Sequence, residues 1–132
     1  MKKILCLDFD GVLHSYTSGW QGVAVCADPP VEGAMAFLTA AVERFEVCIF
    51  SSRSGQLGGI TAMLEWLRHH GLAESVCEAI QFPTEKPKAH FTIDDRAFCF
   101  VGRWPDLDLI DVFVPWNRRA FPDGPANPDD LG

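Results

Sequence analysis

Residues 4–13 read Ile4-Leu5-Cys6-Leu7-Asp8-Phe9-Asp10-Gly11-Val12-Leu13, in one-letter code ILCLDFDGVL. The unbroken apolar run is the pattern of a strand in a parallel sheet covered on both faces. It predicts a buried strand over residues 3–8. The run closes on two acids one residue apart, and Gly11 follows where the chain must turn away. Glycine adopts the required backbone without a Cβ penalty. Two carboxylates at the mouth of a buried strand need a chemical reason.

Two more segments repeat the pattern. EVCIFSSR (46–53) is an apolar strand running into a polar turn at Ser51 and Ser52. HFTIDD (90–95) ends in Asp94 and Asp95. AIQF (79–82) reads as a short strand, 83–88 as a polar loop, and AFCFVG (97–102) with IDVFVP (110–115) as one or two further strands. Residues 11–29, with Gly11, Gly19, Gly22, Pro29, Tyr16 and Trp20, read as a loop or short hairpin. Helical character returns over 30–45, with Pro30 in the first turn and Met35, Leu38, Val42 and Phe45 on one face. A second helix over 58–71 carries Ile60, Met63, Leu64 and Leu67 as its apolar stripe, and Gly71 ends it. His69 and His70 fall in its last turn, where an exposed imidazole is comfortable.

Strands alternating with helices predict an α/β fold with a mainly parallel sheet. Ligands in such sheets sit beyond the carboxyl ends of the strands. That edge is where Asp8, Asp10, Ser51, Ser52, Asp94 and Asp95 fall.

The 132 residues suit one domain, with a core over 1–115 and a Pro/Asp-rich tail over 116–132. Composition is that of a globular chain, 48% hydrophobic and 22% charged. No apolar run approaches the roughly 20 residues that span a bilayer. The start, MKKILCLDF, imitates a signal peptide weakly, but Asp8 and Asp10 interrupt it, so the expectation is a soluble, cytoplasmic protein without a membrane partner. The net charge of −7 argues against a broad grip on nucleic-acid backbones, though not against a site for one end. Of Cys6, Cys26, Cys48, Cys77 and Cys99, the first, third and fifth lie in strand-like runs. The odd count without a CxxC pair reads as buried thiols, not a zinc site or disulfide framework.

In a strand, residues two apart share a side at a separation of roughly 7 Å. Asp8 and Asp10 can then address one site, and Asp94 or Asp95 arrives from a neighbouring strand. Converging carboxylates repel, and a hard cation relieves that repulsion. Mg²⁺ suits a few carboxylates, several waters and a substrate phosphate.

The order of these motifs resembles the haloacid dehalogenase-like phosphohydrolase superfamily over residues 4–96. LDFDGVL is similar to its first signature, VCIFSSR to its second, and EKPKAHFTIDDRA to its third and fourth. The resemblance implies a Rossmann-like three-layer sandwich. It makes Asp8 the nucleophile that forms an aspartyl-phosphate, and Asp10 the group that protonates the leaving oxygen and then activates water. It further implies that Asp10 touches Mg²⁺ through its carbonyl, and that Ser51 hydrogen-bonds the phosphoryl oxygens. Lys86 offsets charge, and Asp94 or Asp95 completes the metal set with Asp8. Ser51 is preferred to Ser52 because Ser-x-Arg is similar to the family's Thr-x-Arg, and Lys86 to Lys88 because proline follows it. Arg53 is read as a phosphate contact or an exposed helix-start arginine, Arg96 as a brace for the loop after Asp95, and His14, Trp20 and Arg103 as entrance or packing residues.

The segments between signatures leave room for only a short flap at 11–30, so no separate cap domain is expected. The resemblance implies that an open site of this kind takes a bulky phosphomonoester, such as a polynucleotide end or a phosphoprotein. The alternatives are a small sugar or nucleotide phosphate, a non-enzymatic receiver-like module that responds to phosphate, and a silent scaffold. The presence of Asp10 favours phosphatase or phosphotransferase chemistry within the resemblance.

Overall fold

The computed structural model describes residues 1–118; the stretch 119–132, most of the expected tail, lies outside them. The chain divides into two compact units, Met1–Asp94 and a second that begins at Asp95.

In the first unit, β1 (Ile4–Leu7) is the middle strand of a three-stranded sheet. Helix α1 (Ala34–Arg44) leads to β2 (Glu46–Ile49), which lies parallel to β1. Helices α2 (Gly59–His69) and α3 (Glu74–Ala79) precede β3 (Phe91–Ile93), parallel to β1 on its other side. Leu7 sits opposite Ile49 on one flank and Ile93 on the other. The fold is therefore α/β with a small parallel sheet.

The core forms where apolar faces meet. Leu5, Leu7 and Phe9 alternate along the first segment and pack with Val47, Ile49, Leu38, Met63 and Leu67. Burying one such side chain contributes about 1.5–3 kcal/mol relative to leaving it in water. Helix α1 packs on β2 and α3, and α2 packs on α3. Strand β3 departs from the expected burial. Phe91 and Thr92 are exposed and only Ile93 joins the core, whereas Val47, Cys48 and Ile49 on the opposite edge strand β2 are buried.

Helix α1 begins at Ala34 and not at Pro30. Gly33, at φ +85°, takes a left-handed turn immediately before it. Its most buried stripe is Ala34, Leu38 and Ala41, where small residues bring the helix close, while Met35 and Val42 pack partly. Helix α2 buries Met63, Trp66 and Leu67. It ends as expected at Gly71, where Leu72 N–H reaches back to Leu67 O at 3.1 Å. His69 is exposed, and His70 lies against Trp66 with ring centroids 4.7 Å apart. The strand expected at 79–82 shrinks to one residue. Ala79 still belongs to α3, and only Gln81 bridges β2, donating to Val47 O and accepting from Ile49 N–H, each at 2.9 Å.

The loop 11–30 has a hairpin-like base. Ser15 N–H donates to Pro29 O at 3.0 Å, and Val31 N–H to Leu13 O at 2.8 Å.

In the second unit the strands expected at 97–102 and 110–115 are not found. Residues 97–102 are irregular, and Ile110 belongs to a short helix, α4 (Leu107–Asp111). The Asp106 carboxylate caps that helix by accepting from Asp108 N–H at 2.8 Å, a local bond that outcompetes an extended reading of the apolar run. Cys99 is consequently exposed, whereas Cys6, Cys48 and Cys77 are buried. A single 3₁₀ turn spans Trp116–Arg118. Among the described residues no helix is long and apolar enough to cross a membrane.

Candidate active site

Beyond Leu7 the chain is steered by backbone bonds. Asp8 N–H donates to Ile93 O at 3.0 Å, which extends the pairing with β3 by one residue. Asp8 Oδ1 accepts from Phe9 N–H at 2.8 Å. The carbonyl of fully buried Phe9 then accepts from Leu13 and His14, each at 3.0 Å, while Gly11 turns at φ +84°. The strand spacing therefore stops applying before Asp10.

Asp8 belongs to an acidic group. One carboxylate oxygen each from Asp8, Asp94 and the adjacent Asp95 lie within 4.8 Å of one another. Asp8 and Asp94 reach it from the carboxyl ends of the neighbouring strands β1 and β3. An all-oxygen, anionic donor set of this size fits a hard divalent cation.

The Asp10 carboxylate turns to Arg53 and His14. Arg53 Nε donates to Oδ2 at 2.9 Å and Nη2 to Oδ1 at 3.1 Å, while His14 Nδ1 lies 2.8 Å from Oδ1. Burial works to raise the Asp10 pKa. The hydrogen bonds from His14 and Arg53, with the Arg53 charge, outweigh it and hold the carboxyl below its ordinary value. His14 Nε2 accepts from Asp28 N–H at 3.0 Å, which assigns the ring proton to Nδ1 and aims it at Asp10. The Asp28 side chain accepts from Ser18 N–H at 2.8 Å and Ser18 Oγ at 2.5 Å, and its carbonyl accepts from Trp66 Nε1 at 3.0 Å. Ser18 hydroxyl donation, against burial and with help from the Ser18 backbone, Thr17 and His14, lowers the Asp28 pKa.

Arg53 corrects the sequence reading in both of its forms. It is neither an exposed helix-start residue nor free for substrate, because it is fully buried against Asp10 and the loop. Its Nη1 donates to Gly22 O at 3.1 Å and Val23 O at 2.6 Å. Trp20 lies over it, with the ring centroid 4.8 Å from Cζ.

Ser51 is buried, and its hydroxyl is turned inward. It accepts from Arg53 N–H at 3.0 Å and donates to Met63 Sδ at 3.5 Å. Ser52 is exposed. Lys86 is exposed too, and its charge reaches the buried Cys6 thiol together with those of Asp8 and Asp94. That thiol is pushed up chiefly by burial, then by Cys48; Lys86 opposes the rise, and Asp8 and Asp94 add to it. Arg96 and Arg103 are exposed residues of the second unit.

Sequence reasoning missed the partnership of Asp10 with His14 and Arg53. The signals were present: a histidine four residues after the acid, and an arginine two after the strand-end serine. Compared with protein-family models, curated proteins and solved structures, the chain matches none.

Proposed function

We propose that the protein is a Mg²⁺-dependent phosphatase of the haloacid dehalogenase-like type, with a minimal Rossmann-like three-layer core and no separate cap. The observation that carries this reading is the convergence of Asp8, Asp94 and Asp95 at the carboxyl ends of parallel strands. Mg²⁺ would be held by these carboxylates and, when bound, would offset negative charge at a phosphate.

The remaining chemistry belongs to the chain. An ionised Asp8 attacks phosphorus; a new Oδ–P bond forms as the bond from phosphorus to the leaving oxygen breaks. In its protonated form Asp10 gives that oxygen a proton, and the carboxylate left behind takes one from the water that releases phosphate. Arg53 and His14 favour the carboxylate, which suits the base step and makes the protonated form that the acid step needs the scarcer one. Lys86 offsets charge near Asp8, and Ser51 serves the phosphoryl oxygens once its hydroxyl turns from Met63. The substrate is a phosphomonoester reached through an open mouth, such as a polynucleotide end or a phosphoprotein.

The test is hydrolysis of an aryl phosphate by the purified protein. Added Mg²⁺ should support turnover and excess chelator should abolish it. Asp8→Asn should lower turnover at least ~10³-fold. Full activity in chelator sinks the metal assignment, and a variant retaining a tenth of the activity removes Asp8 as nucleophile.

One observation favours a phosphorylated receiver instead. Both Asp10 oxygens are already engaged, which leaves an aspartyl-phosphate without a free base beside it. The lifetime of phosphate on Asp8 separates the two readings: seconds or less for turnover, minutes or more for a switch.

A further inference from the structure

We propose that Trp20 is a stacking surface for the nucleobase of a nucleotide whose phosphate is bound at Asp8, an inference that rests on the phosphatase reading. Four of the five N–H groups of Arg53 are committed: Nε and Nη2 to Asp10, Nη1 to the carbonyls of Gly22 and Val23. Acceptors in its plane thus fix the guanidinium, and its faces meet aromatic rings. Phe9 lies 5.8 Å from Cζ and Trp20 4.8 Å. Arg53 and Phe9 are fully buried, whereas Trp20 is 48% exposed.

A large aromatic ring is therefore held from beneath by a cation that cannot shift, with much of its own surface in water. Such a ring loses little freedom when a flat ligand covers it. Its position gives the ligand class. One guanidinium separates Trp20 from Asp10, the group that protonates the leaving oxygen, so whatever that oxygen carries extends past Asp10. A base joined to the phosphate through a sugar is the flat group we assign to that ring, because Asp10 and Trp20 flank the same guanidinium.

The net charge of −7 provides no counterion-release grip on a long strand, so the terminal nucleotide itself is what is read. Stacking accepts every base, because every base has a π-face. The expected specificity is for nucleotides over bare sugar phosphates, with little choice among bases.

The experiment compares adenosine 5′-monophosphate, uridine 5′-monophosphate, ribose 5-phosphate and a 5′-phosphorylated oligonucleotide, using wild type, Trp20→Leu and Trp20→Phe. Wild type should favour both nucleotides over ribose 5-phosphate by about tenfold or more in kcat/KM, expressed in KM. Trp20→Leu should bring that ratio near one, and Trp20→Phe should keep most of it. No preference in wild type, or a ratio unchanged in Trp20→Leu, overturns the proposal. Equal kcat/KM for mononucleotide and oligonucleotide upholds a terminal-nucleotide site; a much higher value for the oligonucleotide overturns it. If no phosphomonoester is turned over, the phosphatase reading falls, and calorimetry with adenosine 5′-monophosphate decides the stacking site alone. Binding weakened about tenfold in Trp20→Leu upholds it, and absent or unaltered binding overturns it.

Discussion

Arg53 grips both carboxylate oxygens of Asp10, at 2.9 Å through Nε and 3.1 Å through Nη2, with no exposed surface of its own. The same guanidinium holds the carbonyls of Gly22 and Val23. One side chain therefore joins the turn after β2 to the carboxylate after β1 and to the loop above them. Removing one partner of a buried pair strands the other charge and costs about 3–5 kcal/mol. Arg53→Met should lose stability on that scale in urea unfolding. Arg53→Lys, which keeps the charge but not the fork, should fall between. Amide exchange in residues 20–24 should quicken in both. A loss below 1 kcal/mol for Arg53→Met would show that the clamp is not what orders this region.

The start of α2 rests on the same turn. A Cβ on Gly59 would meet Arg53 O at 1.9 Å, and backbone cannot yield as a flexible side chain does. Gly59→Ala should destabilise the fold by about 1–3 kcal/mol, as overpacking of a tight contact does. Gly55→Ala, with nothing within 4 Å of the added carbon and no positive φ, is the matched control and should be nearly neutral. Equal unfolding midpoints for the two variants would refute the close contact as a constraint.

The α/β class and the placement of acids at the strand ends were legible because period and punctuation are local properties. ILCLDFDG carries its strand, its acids and its turn within eight residues. The clamp was not legible, because Asp10 and Arg53 are 43 residues apart and only the parallel pairing of β1 with β2 brings them together. Spacing within a strand also did not foresee the turn at Phe9 or the meeting of Asp10 with His14 and Arg53. The apolar runs after Asp95 have strand composition, but Asp106 caps a helix there. Periodicity alone does not separate those outcomes in segments this short.

Acid should loosen the loop through Asp28. Its folded pKa lies below the ordinary value, led by the Ser18 hydroxyl bond. The unfolded chain then binds more protons across the interval between the two values, so stability rises with pH there. The contribution is present above the unfolded value of about 3.9 and is lost as pH falls through the lower folded value. Wild type should exceed Asp28→Asn in stability near neutrality, and the gap should close below about pH 4. A gap independent of pH would assign the role of Asp28 to shape and not to charge.

The clamp on Asp10 also sets what its loss should do to turnover. On the proposed phosphatase mechanism, Asp10→Asn keeps the shape but can neither give nor take the proton. An aryl oxide leaves with little protonation, so attack by Asp8 on an aryl phosphate should survive, slowed. An alkoxide leaves poorly, so the same step on an alkyl phosphate should suffer more. Release of phosphate from Asp8 should be slow for either substrate, because the water has lost its base. The aryl phosphate should therefore give a burst of product about equal to the enzyme present, then a slow steady rate, with phosphate trapped on Asp8. Rapid-quench kinetics and peptide mapping measure both. Equal losses for aryl and alkyl substrates, with no burst and no label on Asp8, would mean that Arg53 and His14 hold Asp10 for structure alone.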